Sequence, residues 1–200
     1  MALTLHSYRR CPFAMRVRMV LHEKNLSFTT VEEDLKNFST TLRNLHPEAK
    51  VPLLVHGGAA IYESAVITEY LEDAFPVPSL MPSAAKERAE VRLWTHWCNQ
   101  TFKPHIDHYK YGEARTTTDA VLAAPENLKS DLHKLETRLQ THHWLVGDTF
   151  GLADIHVFPF YRQLSKATPP LGAVEAYPRT AEWYRRIASR DAFEKTMHKG

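Results

Sequence analysis

A cysteine near the N-terminus lies in a segment that favours a reactive thiolate. Residues 8–18 read YRRCPFAMRVR, and Cys11 precedes Pro12 where an alternating apolar pattern gives way to helical spacing. Proline is favoured at the first helical position, so Cys11 is expected at a helix N-terminus, where backbone N–H groups and the helix dipole stabilise an anion. Four arginines stand in the same segment: Arg9, Arg10, Arg16 and Arg18. Such surroundings lower a cysteine pKa from about 8.5 to about 3.5–7.5, which predicts a nucleophilic thiolate at neutral pH.

The remaining cysteine does not complete a local redox motif. No cysteine follows Cys11 within three positions, so a CxxC dithiol cycle is excluded. Any disulfide chemistry at Cys11 then needs an external thiol as the resolving group. Cys98 falls in an apolar helical stretch and is interpreted as a buried structural residue.

A second group of candidate residues lies near position 105. His105 and His108 flank Asp107 at helical spacing, but a metal site needs three or four converging ligands, so no metal site is predicted. We interpret these residues as polar groups near a cleft instead. A pocket for a second substrate is expected to include Phe102, His105 and Tyr109.

The elements that would position these residues change in type along the chain. Alternating or apolar patterns predict strands at residues 3–7, 27–31, 51–55 and 60–62, with helical spacing after the first and last of them. Residues 75–87, FPVPSLMPSAAKE, interrupt the pattern with three prolines. Everything after them has helical periodicity, including 89–102, which Pro104 should end or kink. The sequence therefore predicts an α/β domain over residues 1–76, a linker over 77–86 and an all-α domain over 87–200.

Composition narrows the class of protein. The 200 residues are 44% hydrophobic and 24% charged, the formal net charge is +2, and there are two cysteines. This is ordinary globular composition, and it indicates neither a nucleic-acid partner nor a membrane surface. The N-terminus reads as a strand rather than a secretion signal, so a cytoplasmic protein with free thiols is expected.

Five motifs in a fixed order give the chain a family resemblance. After the Cys-Pro segment come 34–37 (DLKN), 44–54 (NLHPEAKVPLL), 62–65 (YESA) and 147–155 (GDTFGLADI). Together they resemble the cytosolic glutathione transferases, in particular the omega-like and bacterial cysteine-type enzymes. The resemblance covers nearly the whole chain.

The resemblance implies a fold and a set of site residues. The fold would be a thioredoxin-like N-terminal domain followed by an all-α helical domain, with a cis bond between Val51 and Pro52. Cys11 would be catalytic, with glutathione as co-substrate and no metal. The residues expected to bind glutathione are Phe13, Lys36, Val51, Pro52, Glu63 and Ser64. Among them Lys36 would meet the glycyl carboxylate, and Glu63 would meet the γ-glutamyl ammonium.

The helical motif departs from the family pattern at one position. Gly151 stands where relatives usually carry Ser or Thr as a helix cap. Glycine is acceptable there but provides no side-chain hydrogen bond. Asp154, three residues later, is expected to be structural and to serve the helix backbone.

Two other functions remain open at this stage. Ser7 or Tyr8 could activate the thiol of glutathione for conjugation to an electrophile, whereas a Cys11 enzyme would form a mixed disulfide and act as a thiol transferase or dehydroascorbate reductase. The chain also resembles the stringent-starvation-type proteins, which keep this fold but bind RNA polymerase without transferase activity. The resemblance further implies a homodimer with a small electrophile or disulfide as second substrate.

Overall fold

Four strands form one mixed sheet in the N-terminal part of the chain. The structure, a computed structural model, describes residues 2–167, 171 and 176–198. The strands are β1 (Leu3–Ser7), β2 (Phe28–Glu32), β3 (Leu53–His56) and β4 (Ala59–Tyr62). Their order across the sheet is β2-β1-β3-β4; β1 is parallel to β2, and β3 is antiparallel to β1 and β4. Strands β3 and β4 form a hairpin. Its two-residue turn is Gly57-Gly58, whose φ values of 58° and 87° are those that such a turn requires.

Helix α1 (Pro12–Glu23) is the crossover that parallel pairing of β1 and β2 requires. Its residues 14–21 are all buried, so it is enclosed rather than amphipathic. Two helices pack against it, α3 (Ser64–Ala74) and α9 (Asp191–Met197). The short helix α2 (Thr40–Leu45) follows β2. This arrangement holds the N-terminus of α1, and with it Cys11, at a fixed place beside the sheet.

A buried ion pair fastens the proline-rich segment after α3. Lys24 Nζ lies 2.7 Å from Glu72 Oε1. Nζ also donates to the carbonyl oxygens of Phe75 (2.8 Å) and Pro78 (2.7 Å), while Glu72 accepts from the backbone N–H of Leu80 at 3.1 Å. A buried pair is stable when its remaining hydrogen-bonding groups are also satisfied. The segment expected to be a linker is therefore tied to α1 and α3 in its first half.

Beyond this segment the described residues form helices. They are α4 (Ala85–Trp97), α5 (Lys103–Tyr111), a 3-10 turn (Gly112–Ala114), α6 (Thr118–Thr141), α7 (Leu152–Ser165), α8 (Pro178–Ala188) and α9. The leucines of α6 at helical spacing, Leu128, Leu132, Leu135 and Leu139, are buried, and α7 is buried along most of its length. An α/β sheet domain followed by an all-α domain is thus confirmed.

Pro104 was expected to end or kink the helix, and the structure has an irregular helical turn directly before it. Between α4 and α5 the chain makes a π-helical turn at Cys98–Phe102, and α5 begins at once with Pro104 near its start. Proline lacks the N–H for an interior helical bond and its ring clashes with the preceding turn. The wider π turn relieves that clash, so the helix continues instead of stopping.

The chain divides into two compact units whose limits differ from the predicted domains. One unit contains residues 1–80 and 190–200, and the other contains 81–189. The prediction placed all of 87–200 in the helical domain, whereas α9 packs on α1 of the first unit. Arg190, directly before α9, links this helix to the end of α1. Its Nε and Nη2 donate to the two carboxylate oxygens of Glu23 at 2.6 and 2.7 Å.

Candidate active site

Cys11 caps the N-terminus of α1, and Pro12 is the first helical residue. The backbone N–H of Cys11 donates to the Tyr8 carbonyl at 2.9 Å. Its Sγ lies 3.9 Å from the carbonyl oxygen of Val51, and the side chain is partly exposed. The sulfur is therefore at the positive end of the helix dipole and within reach of a solute.

Arg18 lies about two turns after Cys11 in α1 and interacts electrostatically with it. It is buried and donates from Nη1 to Ser7 Oγ (2.7 Å) and from Nη2 to the Arg9 carbonyl (2.6 Å). Burial lowers the pKa of Arg18 to about 10, although the charges of Glu32 and Cys11 oppose the change. Arg18 therefore stays protonated at neutral pH, and its charge favours a thiolate at Cys11.

Val51 and Pro52 form the loop that meets Cys11. The peptide bond between them is cis, as the resemblance implied. Pro52 is buried and Val51 is half-buried just before β3. A second cis bond, between Val77 and Pro78, was not expected.

Arg16 links the start of α3 to α1. It is fully buried, and its Nη1 donates to Ser64 Oγ at 3.1 Å. Its guanidinium also lies over the ring of Phe13, 5.3 Å from the centroid. The Arg16–Ser64 contact and the Cys11–Val51 contact bring the N-termini of α1 and α3 and the cis-proline loop to one place. From the sequence, Arg16 was expected to act through its charge alone, since nothing in the spacing pairs position 16 with position 64.

Glu63 precedes α3 in an unusual backbone conformation. Its φ is 64° and its ψ is 117°, in the left-handed region that disfavours non-glycine residues. The side chain is exposed and has no hydrogen bond or ion pair to any described residue. Lys50 is close enough for Glu63 to help raise its pKa, after the larger effect of Glu48. Lys50 is thus a cation near Glu63 that was not predicted from the sequence as a site residue.

Lys36 is the candidate that no contact joins to the others. It lies in the turn where Asp34 pairs with Asn37, and its backbone N–H donates to Asp34 Oδ1 at 2.9 Å. The side chain is exposed, and within the described part of the chain its ammonium has no hydrogen-bond partner.

The two alternative thiol-activating residues differ in access. Ser7 is fully buried, and its Oγ accepts from Arg18. Tyr8 is half-buried, and its hydroxyl accepts from Arg10 Nε at 2.7 Å. Cys11 is thus more open to a solute than Ser7.

The residues expected to bind a second substrate belong to the other unit. Phe102 is fully buried and stacks on Trp97 at 5.1 Å between ring centroids. His105 and Tyr109 are half-buried on α5. His105 Nδ1 lies 2.7 Å from Asp131 Oδ2, and burial raises the pKa of Asp131. In the described ranges, no group of three or more His, Cys, Asp or Glu side chains is arranged to hold a metal ion.

Family models match both parts of the chain. Residues 5–79 match the glutathione S-transferase N-terminal domain, and residues 98–191 match the glutathione S-transferase C-terminal domain. A probable glutathione S-transferase, parC of Nicotiana tabacum, is 31% identical over 193 residues, which are 92% of this chain and 84% of parC. The fold is that of the glutathione transferases, and the chain belongs to the glutathione S-transferase family.

Two solved structures have folds similar to that of this chain. Rice GST1 in complex with glutathione is 29% identical, with a TM-score of 0.84 over 99% of this chain and 91% of that one. The beta-etherase LigF from Sphingobium sp. strain SYK-6 is 26% identical, with a TM-score of 0.90 over the full length of both chains. Searched over its described residues, the protein has no helix both long and apolar enough to cross a bilayer.

Proposed function

We propose that the protein is a glutathione-dependent thiol transferase in which Cys11 forms a mixed disulfide with glutathione. The observation that carries the proposal is the partly exposed Cys11 sulfur, placed at the N-terminus of α1 and 3.9 Å from the Val51 carbonyl. A helix N-terminus together with a protonated Arg18 favours the thiolate, which is the attacking species in thiol–disulfide exchange.

Glutathione would bind across the loop and helix ends that meet Cys11. The backbone of Val51, before Pro52, would pair with the cysteinyl residue in the manner of an added strand. Ser64 accepts from Arg16, which leaves its O–H proton and the first N–H groups of α3 for the γ-glutamyl carboxylate. The exposed Glu63 would pair with the γ-glutamyl ammonium.

Two further side chains complete the proposed glutathione site. Phe13, held under Arg16, would contact the tripeptide with its ring. Lys36 would reach the glycyl carboxylate from its exposed turn, so the Asp34–Asn37 segment would order around the ligand. Rice GST1, whose solved structure holds glutathione, supports glutathione as the ligand.

The chemistry needs one external thiol. The Cys11 thiolate attacks the glutathionyl sulfur of a mixed disulfide RS–SG, forming Cys11–S–SG and expelling RS⁻, which takes up a proton. A second glutathione thiolate then attacks the glutathionyl sulfur and releases glutathione disulfide and the Cys11 thiolate. His105 and Tyr109 are proposed to contact the group R.

From the family resemblance, the protein is also expected to be a homodimer in the cytoplasm.

The other candidate functions have less support from the geometry. Ser7 is buried and bonded to Arg18, so it is poorly placed to bond the thiol of glutathione. Tyr8 is the better candidate for conjugation, since it is half-buried beside Cys11. A protein that only bound RNA polymerase would have no use for an accessible thiol beside a cis-proline loop.

The test is reduction of the mixed disulfide of glutathione and 2-mercaptoethanol, with glutathione as reductant. Wild type is compared with Cys11→Ala, and Cys98→Ala serves as the matched control because Cys98 is buried in the other unit. We expect Cys11→Ala to be inactive and Cys98→Ala to keep activity. Intact-mass measurement should show one glutathionyl group on wild type and on Cys98→Ala, and none on Cys11→Ala.

Conjugation to an aryl halide is measured on the same proteins. If thiol transfer persists in Cys11→Ala, the proposed mechanism is wrong. Conjugation that survives Cys11→Ala and is lost in Tyr8→Phe would assign the protein to the tyrosine mechanism instead.

A further inference from the structure

A groove of about 920 Å³ opens in the first unit beside β2. Its walls come from the β1–α1 turn, α1, β2 and α9, and its volume is in the range of small-molecule sites. None of the residues proposed to bind glutathione lines it. The residues that matter for recognition are Arg9, Arg18, His22, Phe28, Glu32 and Lys195.

The groove is strongly cationic. Among the described residues that line it, Glu32 provides the one carboxylate, which accepts from the backbone N–H of Arg9 at 2.8 Å. Among the described residues, the side chains of Arg9 and Lys195 form no hydrogen bond or ion pair. The pKa of His22 is lowered, first by burial and then by the positive charges of Lys195 and Arg18. The groove therefore presents more positive charge than the protein itself neutralises.

One N–H group of Arg18 has no hydrogen-bond partner among the described residues. The relative exposure of Arg18 is 5%, and it lines the groove while donating to Ser7 and the Arg9 carbonyl. Its Nε is buried with no partner among the described residues. An unpaired buried donor of a cation is uncommon and calls for an acceptor.

Part of the groove lining is apolar or aromatic. Phe28 contacts His22 edge to face at 5.2 Å between centroids, and both are half-buried in the groove lining with Leu26. An aromatic surface next to unpaired cations suits a ligand with a flat apolar body and one acidic group.

We propose that this groove is a second binding site, separate from the glutathione site, for an aromatic carboxylic acid, and that Arg18 couples its occupancy to Cys11. The carboxylate would pair with Arg18 and Lys195 while the ring packs on Phe28. Arg18 holds the turn that precedes Cys11 and acts electrostatically on the Cys11 sulfur. A carboxylate at Arg18 therefore weakens the positive potential that favours the Cys11 thiolate.

Binding is tested with 2-naphthoate as the probe, followed by its fluorescence anisotropy on the full chain at low salt. For a probe of this size we expect a Kd of about 1 mM or lower. The neutral analogue 2-naphthalenemethanol should bind at least about tenfold more weakly, since it lacks the charge that Arg18 and Lys195 recognise. Inorganic phosphate should compete weakly, because it lacks the ring.

The site is located with Lys195→Glu, an exposed change on α9 that leaves the interior untouched. It should weaken 2-naphthoate binding at least about fivefold, whereas Lys166→Glu, the same charge change on an exposed lysine of the other unit, should not. Arg18→Lys, which keeps the charge, serves as a second variant if its far-ultraviolet circular dichroism matches wild type. Equal binding of the neutral alcohol, no effect of Lys195→Glu, or displacement by S-methylglutathione would overturn the site.

The coupling is measured as the rate of Cys11 alkylation by iodoacetamide, in Cys98→Ala protein, with and without saturating 2-naphthoate. We expect roughly threefold slowing below the thiol pKa, equivalent to about half a pKa unit. An unchanged rate at saturation would overturn the coupling. Only this alkylation measurement depends on the proposed role of Cys11. 2-Naphthoate should bind Cys11→Ser as it binds wild type. A failure of the proposed groove site can therefore be distinguished from a failure of the thiol-transfer mechanism.

Discussion

At the scale of a single residue, Glu63 shows a conflict between stability and ligand binding. A glutamate with φ of 64° and ψ of 117° is strained by about 1–3 kcal/mol, and such strain collects at ligand sites. The conformation presents an exposed carboxylate without a partner among the described residues, directly before α3. Glu63 therefore has the geometry of a residue kept for a ligand rather than for the fold.

Two substitutions at Glu63 should separate these effects. Glu63→Gln keeps the backbone strain and removes the charge, so KM for glutathione should rise about tenfold with kcat little changed. Glu63→Gly should raise KM similarly, but its free energy of unfolding should exceed that of Glu63→Gln by about 1 kcal/mol, because glycine tolerates the left-handed region. Steady-state kinetics and urea denaturation measure the two quantities.

The matched control is Glu126→Gln, on an exposed glutamate of α6. It should leave KM and stability unchanged. Equal KM values for Glu63→Gln and wild type would remove Glu63 from the proposed glutathione site.

At the scale of the element, the start of α7 depends on one buried carboxylate. Asp154 Oδ1 accepts from the backbone N–H of Leu145 (3.0 Å) and from Trp183 Nε1 (2.7 Å), and Oδ2 accepts from the Gly151 N–H (3.2 Å). As expected, Asp154 serves the backbone of the helix where Gly151 has no side chain to do so. Burial nevertheless raises the pKa of Asp154 to about 6, against the opposing effect of these donors.

The raised pKa predicts how the role of Asp154 varies with pH. A group whose pKa is higher in the folded state stabilises the fold fully below its unfolded pKa, near 3.8, and this contribution is lost as pH rises through about 6. Asp154→Asn does not titrate and loses the bond to Gly151. Its stability deficit relative to wild type should therefore shrink, by an amount on the order of 2 kcal/mol, between pH 4 and pH 7.

Chemical denaturation of both proteins at several pH values gives this difference. Asp191→Asn, at the exposed start of α9, is the control and should show no comparable trend. A deficit that grows with pH would mean that the three donors outweigh burial and that the anion is the stabilised form.

Most elements were predictable because their periodicity records which face is buried. β1 was predicted with its observed limits, and the Gly57-Gly58 turn follows from glycine's tolerance of positive φ. The π turn at Cys98–Phe102 was not predictable, because a proline disfavours a regular helix but does not specify which irregular turn the chain adopts. In the candidate site, the order of the motifs along the sequence was enough to predict Cys11 at the start of α1 and the cis bond before Pro52. The Arg16–Ser64 bond depends on long-range packing that no local pattern encodes.

At the scale of the whole molecule, the chain leaves the first unit after residue 80 and returns to it at residue 190. Local sequence predicts a helix near the C-terminus but not which unit receives it, so the predicted domain of 87–200 included α9. In the structure α9 packs on α1 with Ala192 and Thr196 buried. The contact is reinforced by the two-point Arg190–Glu23 ion pair, whose carboxylate side chain is only 11% exposed.

Loosening this pair should release α9 without unfolding the rest of the protein. In Arg190→Gln, amide hydrogen exchange in α9 should accelerate about fivefold, the effect of about 1 kcal/mol for a partly buried charge pair, while α7 exchanges at its wild-type rate. Arg179→Gln is the control, because the Arg179–Glu182 pair is exposed and lies within α8. Glu23→Gln should have the same effect on α9, and the double variant should add little to either single change. If exchange in α9 is unaltered in all three variants, apolar packing alone holds the helix, and the ion pair has no part in returning the chain to its first unit.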